Sequence, residues 1–256
     1  MTTLKLPPYF DPVFLLLFNE DNHCRLLISL LNSLLNLPRA LRIVGLDIIS
    51  PRIMGQTVAE KHVVLDIRAH DITSRRFNIE VQVASFSDYA QRILYYWAGM
   101  YHGQIQMGQG YGRLQPAYAI HITGFKLFPQ RPRYHFIFQP RDHLEPEVVL
   151  SDHQQIHVFE LPKFQLPLEQ LRTPAEKWVY FIKCGHQMSP DEIAGLAMPE
   201  LLEAEEKLTM ISQEERLRIQ HEQWEKALRD QASFEQDWIA FGQRKGHELG
   251  LKEGVK

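Results

Sequence analysis

Three polar residues break two apolar runs: Asp66 in HVVLDIRA (62–69), and Glu80 and Gln82 in RFNIEVQVAS (76–85). Both runs alternate with the period of two of a β-strand. In the second, Phe77, Ile79, Val81 and Val83 share one face, and Asn78, Glu80 and Gln82 share the other. In the first, Val63, Leu65 and Ile67 oppose His62, Val64, Asp66 and Arg68. An antiparallel hairpin centred on Thr73 pairs Asp66 with Glu80, since Thr73 lies midway between them. Opposed residues have Cβ atoms about 4.5–5.5 Å apart. Two carboxylates so held repel unless one is protonated or a cation lies between them. Mg²⁺ takes carboxylate oxygens while keeping several waters, so acids on adjacent strands suit it. Gln82, on the same face, would orient a water or a phosphate oxygen. The plainer reading is a wet strand face with ordinary polar residues. Two details favour chemistry. Asp is disfavoured in strands, and the polar face ends at Ala84 as a notch would.

The elements that must position these residues follow from spacing. DPVFLLLF (11–18) and NHCRLLISLLNSLLNL (22–37) read as helices, the second with a leucine stripe, Asp21 or Asn22 as N-cap and Pro38 as its stop. RIVGLDIIS (42–50) reads as a strand, and HDITSR between the two key strands has turn chemistry. A helix over 87–108, capped by Ser87, precedes strands at 116–128, 134–140 and 155–162. After residue 173 the pattern is helical, with Thr173–Pro174 and Ser189–Pro190 as starts and a long charged helix over roughly 213–245. A helix between strands permits a crossover. The expected fold is α/β, a mixed central sheet flanked by helices, with a helical C-terminal extension. The expected division is a domain at 1–165 and a helical region at 166–256.

Composition narrows the class. The chain has 256 residues, 45% of them hydrophobic, enough for a packed core. Two cysteines, Cys24 and Cys184, argue against a disulfide scaffold and for a reducing, cytoplasmic setting. MTTLKLPPYF has no signal-peptide pattern, and VFLLLF is too short to span a bilayer, so no membrane partner is expected. The net charge of −3 excludes a broadly basic nucleic-acid binder and leaves room for a local phosphate patch. Of the twelve histidines, none has metal-ligand spacing, and all read as structural.

Asp, a short hairpin, then Glu-x-Gln resembles the core of the metal-dependent PD-(D/E)xK nucleases. More closely, the chain resembles the Rpn family of recombination-promoting nucleases, also described as PD-(D/E)xK family transposases. The matching pieces are DPVFLLLF, LLISLLNSLL, KHVVLDIRAHD, FNIEVQV and SDYAQRILYYWAGMYHGQIQMGQGYGRLQPAYAIHITGFKLF, over about residues 11–130. The resemblance implies a restriction-endonuclease-like core and Mg²⁺-assisted hydrolysis of DNA phosphodiesters, with Mn²⁺ or Ca²⁺ as other metals. By motif position, Asp66, Glu80 and Gln82 would be catalytic. Asp66, Glu80 and the carbonyl of Val81 would hold the metal. Gln82 stands where the wider superfamily has Lys, and its neutral amide supplies no charge. Lys61 would supply it, or is an ordinary surface lysine. Arg92, on the helix after the second strand, would contact DNA phosphate, or pair with Asp88 one turn earlier. Asp11 is an accessory acid or the N-cap of the first helix. Leu15 stands where the family often has a basic residue.

Tyr96 and Trp97 read as core. Trp224, Leu228, Phe234, Trp238 and Phe241 suggest a packed C-terminal helix, and Gly242, Gly246, Gly250 and Gly254 a frayed tail. The expectation is an endonuclease acting on DNA in recombination or mobile-element biology, with a homodimer as the arrangement that would supply two sites. The alternative is a nuclease-fold DNA- or protein-binding module with a weakened metal site.

Overall fold

The computed structural model describes residues 5–18, 24–49, 67–229 and 245. The chain divides into two compact units, residues 1–213 and 214–256.

In the first unit the leucine stripe makes the predicted helices. They are α1 (Asp11–Phe18) and α2 (Arg25–Leu35), the latter burying Leu26, Leu27, Leu30, Leu31, Leu34 and Leu35. The first turn of α2 starts later than predicted, at Cys24 rather than Asp21 or Asn22, and no side chain caps it. Asn36 ends it in the left-handed conformation (φ 47°), which Asn tolerates, just before Pro38.

Six strands form one mixed sheet among the described residues: β1 (Leu46–Ile48), β2 (Ile67–Asp71), β3 (Arg76–Gln82), β4 (Ala117–Thr123), β5 (His135–Phe138) and β6 (Gln154–Glu160). Their order is β1-β2-β3-β4-β6-β5. β1, β2 and β3 are antiparallel neighbours, β3–β4–β6 run parallel, and β5 is antiparallel to β6. The parallel step from β3 to β4 is made by α3 (Tyr89–His102), the expected crossover. Every residue of β4 is buried, as a parallel strand covered on both faces requires. Tyr89 and Ile93 of α3 pack on Ala119, Ile156, Val158 and Phe136, with Trp97 and Phe125 at the margin. Trp97 also donates to the carbonyl of Ala117 at 2.9 Å.

Two elements end earlier than their periodicity suggests. α3 stops at His102 instead of 108 because Gln104 clamps the backbone of Gln115, accepting from its N–H and donating to its carbonyl at 2.8 and 2.9 Å. Its first cap position is Asp88, not Ser87. β4 stops at Thr123 because its hydroxyl turns back to the carbonyl of Phe125 at 2.9 Å. Gly124 then passes so close to Val83 that a Cβ there would lie 3.0 Å from its Cα.

The turn between β2 and β3 is built on a buried acid. Asp71, 2% exposed, accepts from the Thr73 and Arg75 amides, each at 3.0 Å, and from the Thr73 hydroxyl at 2.8 Å. Its other oxygen takes the Arg75 guanidinium at 2.6 and 2.7 Å. Arg75 in turn donates to the carbonyl of Leu41 at 2.8 Å. Ser74 takes the positive φ (64°) that the turn needs. The pairs that follow are Ile67↔Ile79, Arg68↔Asn78 and Ala69↔Phe77. Thr73 is the centre of this register, as predicted.

α4 (Pro174–Cys184) begins as predicted, with Thr173 and Glu176 in a capping box and Pro174 in the first turn. The predicted helix from Ser189 is two, α5 (Pro190–Gly195) and α6 (Pro199–Ile211), parted where Ala197 takes φ 51°. α4 and α6 pack on α2, and α6 on α1. Trp178 donates to the Ser29 hydroxyl at 3.2 Å, and buried Lys5 bridges the carbonyl of Met188 and Glu205. The helices up to residue 211 thus fold with the sheet-bearing unit, across the position 165/166 at which the sequence changes character.

In the second unit, residues 215–229 are helical, and His221 lies against Trp224 with centroids 5.3 Å apart. Phe234, Trp238, Phe241 and the four tail glycines lie outside the described residues.

Removing one partner of a buried ion pair strands the other charge. Asp71→Ala is expected to lower unfolding stability by about 3–5 kcal/mol in urea titration. Asp71→Ala with Arg75→Ala should cost less than the sum of the two.

Candidate active site

Glu80 lies near the end of β3, opposite His121 of the parallel strand β4. Alternation puts Asn78, Glu80 and Gln82 on the sheet face that α3 covers, and the parallel register sets Ala119, His121 and Thr123 beside them. The acid is therefore buried, only 3% exposed. A buried carboxylate needs a counter-charge and hydrogen bonds. Arg92, one turn into α3, supplies both, its guanidinium donating to Oε1 at 2.8 Å. The pair expected between Arg92 and Asp88 is replaced by this one. Arg92 is itself ringed by Phe86, Tyr89 and Tyr96, the last centroid 5.4 Å from Cζ. Its Nε is buried and makes no hydrogen bond among the described residues.

The other carboxylate oxygen, Oε2, lies 3.4 Å from Nδ1 of His121. This contact is not an ion pair. His121 is fully buried, and burial with the nearby Arg92 charge depresses its pKa to about 3, so it is neutral near pH 7. The Tyr89 hydroxyl meets the same Nδ1 at 3.1 Å. On its far side His121 Nε2 is buried without a hydrogen-bond partner among the described residues, as are both amide atoms of Asn78. Beside Glu80 there is thus a seam of buried polar groups whose hydrogen-bonding capacity the other described residues do not use. Water or an ion ordinarily satisfies such groups.

Gln82 is half-buried, and its amide makes no hydrogen bond among the described residues. The backbone carbonyl of Gln82 accepts from Gly124 on the β4 side at 2.8 Å. Successive carbonyls of a strand point in opposite directions, so that of Val81 is directed to the β2 side. Asp66 and Lys61 lie outside the described residues; the description of β2 begins at Ile67, across from Ile79. Asp11 is the first residue within α1 rather than its cap, since the first helical bond runs from the Phe14 amide to the carbonyl of Phe10. Leu15 is buried at 6% exposure, so that position of α1 faces the interior, not a ligand.

His121 and Tyr89 were not among the predicted site residues. A histidine in an otherwise apolar strand, AYAIHIT, was the available signal. What turns it into a neighbour of Glu80 is the parallel register across α3, which spacing alone does not supply.

Two more histidines behave alike on the opposite sheet face. His135 and His157 are 3.1 Å apart, and burial depresses their pKa values to about 4 and about 3. The unfolded chain protonates these imidazoles near pH 6.5, while the native chain does so only near 3 to 4. Between those limits the unfolded state holds more protons, so stability is fully present above pH 6.5 and is lost as pH falls. Urea midpoints measured from pH 7 down to pH 4 should decline, and His121→Gln should make the decline shallower.

Residues 8–237 match the family described as PD-(D/E)XK nuclease family transposase. Searches of curated proteins and of solved structures returned no match. The match takes in the sheet, the crossover helix and the Glu80 strand together. The chain belongs to the PD-(D/E)XK nuclease family transposases.

Proposed function

We propose that the protein is a metal-dependent DNA endonuclease that hydrolyses phosphodiester bonds in recombination or mobile-element biology. The observation that carries this reading is the hairpin register. Ile67 pairs with Ile79, and Asp66 is the next residue before Ile67, as Glu80 is the next after Ile79. If the pairing continued by one step, Asp66 and Glu80 would share a face.

The donor set suits a hard cation: two carboxylates, the Val81 carbonyl and the Gln82 amide are all oxygen donors, as Mg²⁺, Mn²⁺ or Ca²⁺ prefers. Asp66, Glu80 and Val81 would hold the ion. When bound, it supplies Lewis-acid polarisation of the phosphate and a water of lowered pKa. Glu80 keeps its orientation through Arg92 at Oε1. Gln82 orients the attacking water by hydrogen bonds and takes no proton, because an amide is not a base at neutral pH. Arg92 has donors beyond the one engaged by Glu80, and its side chain is 29% exposed. It serves as the phosphate contact while holding the acid. Lys61, five residues before Asp66, is a second candidate for that charge. The two free cysteines fit a reducing compartment such as the cytoplasm. No helix among the described residues is long and apolar enough to cross a membrane. Cutting both strands requires two sites or two encounters, which a homodimer would provide.

Supercoiled plasmid with Mg²⁺ or Mn²⁺ tests the proposal. Wild type is expected to nick or linearise it, while Asp66→Ala and Glu80→Gln lose about 100-fold or more in rate and remain folded. Gln82→Ala should lower the rate by about 10- to 100-fold, a loss in turnover rather than in metal affinity. An inert wild type that still binds DNA would support the binding-module reading. Equal cutting by all variants would refute the site.

A further inference from the structure

Between α3 and the β2–β3 hairpin runs a groove of about 670 Å³. Arg68, Arg76 and His102 line it together with Phe77, Tyr95 and Tyr96, and no Asp or Glu among the described residues does. Arg68 and Arg76 come from the hairpin wall and His102 from the end of α3. Tyr95 stands at its rim 76% exposed, with its ring edge-on to Tyr96 at 5.9 Å. Tyr96 also carries the guanidinium of Arg92, which holds Glu80. One ring thus borders both the groove and the ion pair at the acid.

We infer that this groove is a binding track for single-stranded DNA, leading an unpaired strand toward Glu80. The inference deepens the nuclease reading and rests on it for its direction, not for the binding itself. Charge complementarity favours a polyanion: two arginines border a cleft that no Asp or Glu among the described residues lines. An aromatic rim beside arginines selects a nucleic acid with exposed bases, since a base face stacks on a ring only when it has left its duplex partner. A volume of this order takes roughly one or two nucleotides rather than a turn of duplex. Tyr95 offers a rigid flat surface at small entropic cost, and stacking on it needs no particular base. The track therefore favours frayed, flapped or single-stranded DNA without strong sequence preference.

The test is fluorescence anisotropy in EDTA, where no cleavage occurs. The probes are a labelled thymidine oligonucleotide and a duplex of equal length, each at low and moderate salt. Wild type is expected to bind the single strand more tightly than the duplex. Tyr95→Ala should weaken single-strand binding by roughly 5- to 150-fold, Tyr95→Phe should preserve it, and Arg68→Ala with Arg76→Ala should weaken it and flatten its salt dependence. Thermal melts check that each variant is folded. The track is refuted if Tyr95→Ala binds the single strand as wild type does, or if duplex binds as tightly and with the same mutant pattern. The plasmid assay with Glu80→Gln stays separate: single-strand binding without cleavage would sink the nuclease reading alone. Cleavage that survives while Tyr95→Ala binds normally would sink the track alone.

Discussion

Asp71 with Arg75 is the constraint on which the arrangement depends. A buried carboxylate receives two backbone amides, a hydroxyl and a guanidinium within a five-residue loop. Such a pair adds little net stability over an apolar pair of the same shape. Its contribution is specificity. The carboxylate closes only one loop geometry, and that geometry decides which residues of β2 and β3 oppose each other. A slip by one residue would turn Glu80 to the other sheet face. The link from Arg75 to Leu41 ties the same turn to the segment before β1, so the edge of the sheet and its register are fixed by one network.

From that register the electrostatics of the site follow. Glu80 is buried because α3 crosses over its face, and α3 itself brings the countercharge. The crossover thus sets a requirement and meets it with Arg92. His121 enters through the parallel pairing of β3 and β4. Burial keeps it uncharged, so it adds a polar contact to the acid without a second positive charge beside Arg92. The acid keeps one firmly held oxygen, toward Arg92, and one in a looser polar setting, toward His121.

Much of this was legible in the chain. The period-two runs, the midpoint at Thr73, the leucine stripe of α2, the crossover helix and the Thr173 cap each follow from local rules that act over a few residues. What was not legible depends on distant chain segments meeting. His121 is 41 residues from Glu80 in sequence, and its role rests on register across a helix. The early stops of α3 and β4 come from side chains of Gln104 and Thr123 competing for backbone groups, which outweighs continuing periodicity. Asp71 read as a turn former, but the depth of its burial needed Arg75 and Leu41 around it. Helices α4 to α6 looked like an appendage because their composition changes. α4 packs on α2, α6 on α1 and α2, and α5 on α6, so composition marked a change of layer within the unit.

The circumference of α3 separates two kinds of evolutionary pressure. Tyr89, Ile93 and Trp97, at four-residue intervals, are fixed by what lies beneath them. Tyr95 and Ala98, a quarter to a half turn away, border open space. Changes on that outer strip leave the packed side untouched. Positions 95, 98 and 102 can therefore vary without disturbing that scaffold. Positions 92 and 96 sit on the seam between the two strips and would be expected to change slowly, and together.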